Sequence, residues 1–227
     1  MYDFMIDWGL YLLVILIPLF AQIGISVSYS KYKQRKNNIG LTGAEVARKI
    51  LAANNLSNVY VVETQGELSD HYDPNRKTVK LSSDIYNGDS IAAMGVAAHE
   101  CGHAIQDSEG YLFLRIRSMI VPVVNLVSYF SWFVILIGFI TEYFEIFYLG
   151  IALILIGLVF QLITLPVEFD ASNRAKKELE RLSLAPNKDL SGVKSILFFA
   201  AMTYVASVLS SILQVLRLIL LFNNRRD

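Results

Sequence analysis

Four long apolar runs decide what this chain can fold into. They cover residues 8–27, 119–140, 147–167 and 196–222. Each is close to or beyond the roughly 20 apolar residues a helix needs to cross a bilayer core. Runs without a period-two alternation read as helices, which satisfy their own backbone hydrogen bonds in hydrocarbon. Composition agrees: 54% of the 227 residues are hydrophobic and 18% are charged, against about 45–50% and 25% in soluble domains. Formal net charge is zero, and no nucleic acid is expected as a partner. The single cysteine, Cys101, excludes an internal disulfide.

The placement of charge gives an orientation. The leading tail carries Asp3 and Asp7 but no Lys or Arg, so the first run reads as an uncleaved anchor. Of the 20 basic residues, eleven lie between Tyr29 and Arg117, six between Arg174 and Lys194, and three between Arg217 and Arg226. The positive-inside tendency then puts residues 29–118 and 168–195 in the cytoplasm and the N-terminus outside. Four simple spans leave Arg225 and Arg226 outside, against that tendency. A tilted, interfacial or bent-back course for the last run therefore stays open. Within it Thr203, Ser207 and Ser211 recur every four residues. That stripe reads as a helix-packing face, with a lipid-exposed stripe as the alternative.

The expected organisation is an N-terminal transmembrane anchor (1–28), a cytoplasmic α+β domain (29–118), a transmembrane hairpin (119–167), a cytoplasmic helix (168–195) and a C-terminal membrane segment (196–227). The fold class is a mostly α membrane protein of about four transmembrane helices with a small cytoplasmic α+β domain. The polar block from 41 to 118 reads locally. "LTGAEVARKILAANN" is a helix with Thr42 and Glu45 at capping-box spacing and Asn54–Asn55 as its stop. "NVYVVE" is a strand. "DHYDPNRKTVKLS" is a strand pair around an Asp73-Pro74-Asn75 turn. Asp89 is expected to cap the next helix.

That helix carries "VAAHECGHAIQ", residues 96–106, which holds two of the chain's three histidines. Residues four apart on a helix share a face, so His99 and His103 can reach one ion. Zinc accepts imidazole nitrogen, and a catalytic site leaves one position open for water. Glu100 stands beside such a water as general base. Cys101 points about 200° round the helix from His99 and reads as a packed thiol.

A third ligand must come from elsewhere. Glu142 and Glu145 lie in the outer turn, across the membrane from the histidines. In "LPVEFDASNRAKKELERL", helical spacing puts Glu168, Ala171, Ser172, Ala175 and Leu179 on one stripe. Asp170, Arg174, Lys177 and Arg181 fall on the opposite face, which suits water. Glu168 is therefore the inward carboxylate. The competing explanation is a carboxylate at a helix N-terminus just after Pro166. His71, Tyr72 and Arg174 are candidate donors to a reaction oxyanion. Against that role, His71 reads as a turn residue bonded within its own loop, and Arg174 as a solvated or headgroup charge. The Val79–Leu81 strand offers either an edge for an extended peptide or an internal strand.

"DHYDPNRKTVKLS", "VAAHECGHAIQ" and "LPVEFDASNRA", in this order and between these spans, resemble the bacterial membrane-bound neutral zinc metallopeptidases of the YugP type. The resemblance covers nearly the whole chain. The layout is similar, more distantly, to the HtpX and CAAX-prenyl-protease group, where a later E-x-x-A-D supplies the third ligand. The resemblance implies a zincin-like, gluzincin-type domain that binds Zn²⁺ through His99, His103 and Glu168, with Glu100 as catalytic acid/base. It also implies a peptide or membrane-protein substrate at the cell membrane. Ser172 stands where the distant group has Asp. A non-catalytic membrane adaptor or quality-control scaffold with a structural metal is the rival reading, and a small transporter subunit a weaker one.

Overall fold

A computed structural model of the chain describes residues 2–66 and 69–223. Arg225 and Arg226, on which the charge argument for the last run turned, lie outside the described residues. In order, the elements are α1 (Tyr2–Lys33), α2 (Gly43–Ala53), β1 (Tyr60–Thr64), β2 (His71–Asp73), β3 (Thr78–Ser82), α3 (Ser83–Tyr86), α4 (Ile91–Ser108), α5 (Leu112–Thr141), α6 (Phe144–Arg181) and α7 (Asn187–Asn223). The protein is mostly helical with one small sheet. α1, α5, α6 and α7 are long and apolar enough to cross a membrane. The chain divides into two compact units. One takes residues 1–22, 116–165 and 202–227, and the other residues 23–115 and 166–201.

The first unit is built from apolar helix faces. Leu12, Phe20, Leu126 and Phe133 are among many large side chains left exposed there. A small buried cluster of Ile135, Phe147, Ile151 and Leu218 joins α5, α6 and α7. Gly138 makes the hairpin tight, because a Cβ there would lie 2.5 Å from the Phe147 backbone nitrogen. α7 is one continuous helix, so within the described residues the bent-back course does not occur. It runs antiparallel to α1: Ser210 donates to the Val14 carbonyl, and Arg217 reaches Asp7 at 2.8 Å. The small-residue packing face sits one position off the expected stripe. Ala206 and Ser210 are buried, whereas Ser207 is exposed and bonds the Thr203 carbonyl of its own helix. Ser211 does reach across, to Gln161 on α6.

The second unit has a conventional core in which Val46, Ile50, Val79, Leu81, Met94 and Leu179 are fully buried. α2 begins as its sequence dictates, with Thr42 and Glu45 forming a reciprocal capping box. Asn55 takes a left-handed φ of 59° just past its end. The β2–β3 turn is held by Asp73, whose Oδ1 accepts from the Asn75 and Arg76 amides. β3 pairs antiparallel with β2 and parallel with β1, in the order β1-β3-β2. The Val79–Leu81 strand is therefore central, and it offers no free edge. The start of α4 corrects an expectation. Ser90, not Asp89, is the N-cap: its hydroxyl accepts from the Ala93 amide at 3.0 Å. The Asp89 carboxylate goes instead to Lys36.

Candidate metal centre

α4 and α6 meet at glycine. A Cβ on Gly102 would sit 2.5 Å from the Ala171 carbonyl oxygen and 3.0 Å from its carbon, so the two backbones touch where no side chain fits. On α4 this contact adjoins His103 and lies about one turn from His99, and on α6 it lies about one turn from Glu168. Gly102→Ala would gain about 1 kcal/mol of helix propensity. It would lose about 1–3 kcal/mol to overpacking, because a backbone neighbour cannot rotate away. The expected outcome is a lower unfolding temperature and weaker metal binding, read by thermal melts with and without zinc.

α6 is continuous through Pro166. Glu168 is thus a mid-helix residue, and the helix-N-terminus explanation for its presence falls. Ala171, Ser172, Ala175 and Leu179 are all buried, as the stripe predicts. Glu168 itself is 3% exposed and His103 7%. Glu168 Oε2 lies 3.3 Å from His99 Nε2 and 3.7 Å from His103 Nε2. The imidazoles stand nearly perpendicular, with centroids 4.8 Å apart. Among the described residues, His99, His103 and Glu168 each offer one ligand atom, all within 4.8 Å of one another, and could hold a metal ion.

The donor set fits zinc. Zinc bonds imidazole nitrogen and carboxylate oxygen at about 2.0–2.2 Å, and a tetrahedron with such bonds has edges of about 3.3–3.6 Å. The two separations from Glu168 are close to such edges. Both outer nitrogens are also engaged, as metal-binding imidazoles require. His99 Nδ1 is 3.2 Å from Ser172 Oγ. His103 Nδ1 is 3.0 Å from Gln106 Oε1. Burial alone would lower the His103 pKa. The bond to Glu168, the charges of Glu100 and Glu168 and the bond to Gln106 outweigh it and hold His103 above its ordinary value.

Glu100 is buried beside the pair at 8% exposure. Cys101 is fully buried on the other face of α4, where its Sγ contacts the Ala47 carbonyl. Burial pushes its thiol well above the ordinary range. His71 is exposed on β2 and uses Nδ1 on the Ser69 carbonyl at 2.7 Å. It is not part of the metal group. The Tyr72 hydroxyl donates to Asp107 at 2.6 Å. Burial first, then that bond, raises its phenol far above its ordinary value.

Two residues differ from their expected solvent roles. Asp170 is half-buried and accepts from Gln106 Nε2 at 2.9 Å and from Arg174 Nε at 2.6 Å. Arg174 also reaches Glu109 at 2.7 Å. Gln106 is fully buried and was absent from the candidate set. Its position three residues after His103, on the same helix face, was the one local signal.

The model of a family described as "putative neutral zinc metallopeptidase" matches residues 8–223. The chain is 44% identical over 207 residues to "Putative membrane protease YugP" of Bacillus subtilis (strain 168), covering 91% of this chain and 92% of that protein. No solved structure matches the chain.

Proposed function

The chain belongs to the neutral zinc metallopeptidase family, and from that premise we propose that it is a membrane-embedded zinc endopeptidase. His99, His103 and Glu168 hold the ion and Glu100 is the general base. The observation that carries the reading is the meeting of a carboxylate from α6 with two imidazoles from α4. Zinc bound there supplies a Lewis acid, which polarises a peptide carbonyl and acidifies water. Glu100 takes the proton of the attacking water and passes it to the departing amine. Low exposure around the site limits competing water and strengthens these charge interactions. His71 is the proposed oxyanion donor, and it could donate from Nε2 only as the imidazolium, because the Ser69 carbonyl already takes its Nδ1 proton.

The peptidase module comprises residues 29–118 and 168–195, and the segments 1–28, 119–167 and 196–227 anchor it in the cell membrane. Exposed apolar side chains along α1 and α5 support a lipid setting. Basic residues concentrate in the peptidase module, which supports a cytoplasmic face for the site. The partners are the bilayer and a peptide or membrane-protein substrate. The adaptor reading, with metal only bracing the helices, finds less support, because a brace needs no buried base beside it.

The test uses the full chain in mild detergent. About one zinc per chain and cleavage of an unstructured protein are expected, with cleavage lost on chelation and restored by zinc. A zinc-loaded chain that cleaves no protein or peptide would favour the adaptor.

A further inference from the structure

We propose that Gln106, steered by Asp170 and the Val167 carbonyl, is the positioning residue that fixes which nitrogen of His103 faces the metal. The inference rests on the zinc reading above and deepens it. An imidazole can bind a metal through only one nitrogen at a time, and the hydrogen bond made by the other decides which. The Gln106 amide has an acceptor end and a donor end, and its surroundings permit a single orientation. Its nitrogen lies 2.8 Å from the Val167 carbonyl oxygen and 2.9 Å from Asp170 Oδ2. Turning the amide over would set its oxygen against both of these acceptors at hydrogen-bond distance. Its Oε1 must therefore face His103 Nδ1. An acceptor there requires Nδ1 to carry the proton, so Nε2 is left with the lone pair, directed towards Glu168.

Asp170 does not stand alone. Its Oδ2 also accepts from Arg174 Nε, and Arg174 extends to Glu109 near the end of α4. The chain Glu109–Arg174–Asp170–Gln106–His103 crosses between α4 and α6 twice. It ties the choice of nitrogen to the same helix contact that brings Glu168 into place. Ser172 cannot do this for His99, because a hydroxyl rotates and can serve as donor or acceptor. The directed half of the site is thus the His103 half. A carboxamide in place of a carboxylate also keeps further negative charge away from Glu168.

The experiment measures zinc affinity of the full chain by competition with a chromogenic chelator. It adds a nitrogen spectrum of ¹⁵N-histidine-labelled, zinc-loaded protein, in which only three imidazoles contribute. Gln106→Leu keeps the volume and removes the acceptor. It is expected to weaken zinc binding about 10- to 100-fold. It should also expose the His103 Nδ1 proton to rapid exchange while the His99 signals stay in place. Asp170→Ala should shift affinity the same way by less, and it decides the matter if Gln106→Leu does not fold. A merely structural role would lower the melting temperature of the zinc-free and zinc-loaded chains equally and leave the affinity of folded protein unchanged. That result, or a native His103 that binds zinc with Nδ1 unprotonated, overturns the relay and leaves the zinc reading intact. A native chain that takes up no zinc overturns both.

Discussion

Glu168→Gln is expected to fold and to lose zinc. The substitution keeps the shape and one acceptor oxygen, so the buried position on α6 stays filled and the Gly102–Ala171 contact is undisturbed. What it removes is the charge that makes the site attractive to a cation. Two imidazoles alone are a poor set for a hard-to-soft borderline ion that takes three protein ligands in catalytic sites. Loss of a residue that only orients a ligand costs about 10- to 100-fold in affinity, so loss of the ligand itself should exceed the upper end of that range. Zinc content after dialysis against a weak chelator reads this directly. Stoichiometric zinc in Glu168→Gln would mean that the carboxylate is a bystander.

Glu100→Gln should give the opposite signature, with zinc retained and cleavage lost. The amide occupies the same buried space beside His99 but cannot receive a proton. Positioned general bases contribute roughly 10²- to 10⁴-fold, and the turnover of this variant should fall by that factor while KM stays close to native. Paired with the Glu168 variant, this separates holding the ion from using it. An active Glu100→Gln would remove the base from the account, and an inactive protein with unchanged cellular function would favour the scaffold.

The features legible in the sequence are those set by neighbours close along the chain. The capping box of α2 spans four residues, and the Asp73 turn bonds amides two and three residues away. The inward stripe of α6, with Glu168 on it, follows from helical period alone. Long apolar runs fixed the four long helices for the same reason, although the helices extend well past the runs. What stayed open or was misread depends mostly on contacts far along the chain. Whether β3 is an edge or a centre depends on β1 returning beside it in parallel, a pairing no local pattern encodes. Asp170 and Arg174 sit on what the period marks as a solvent face. Only the arrival of Gln106, 64 positions away, makes the aspartate part of the site. Asp89 and Ser90 are adjacent and both suit a cap; the choice fell to Ser90 because Lys36 claims the aspartate.

The most direct measurement is an experimental structure of the zinc-loaded chain with anomalous scattering recorded at the zinc edge. One peak is expected, about 2.0–2.2 Å from His99 Nε2, His103 Nε2 and a Glu168 carboxylate oxygen. A peak lodged elsewhere, or one on the two histidines with Glu168 turned away from it, would contradict the claim that α6 completes the metal centre.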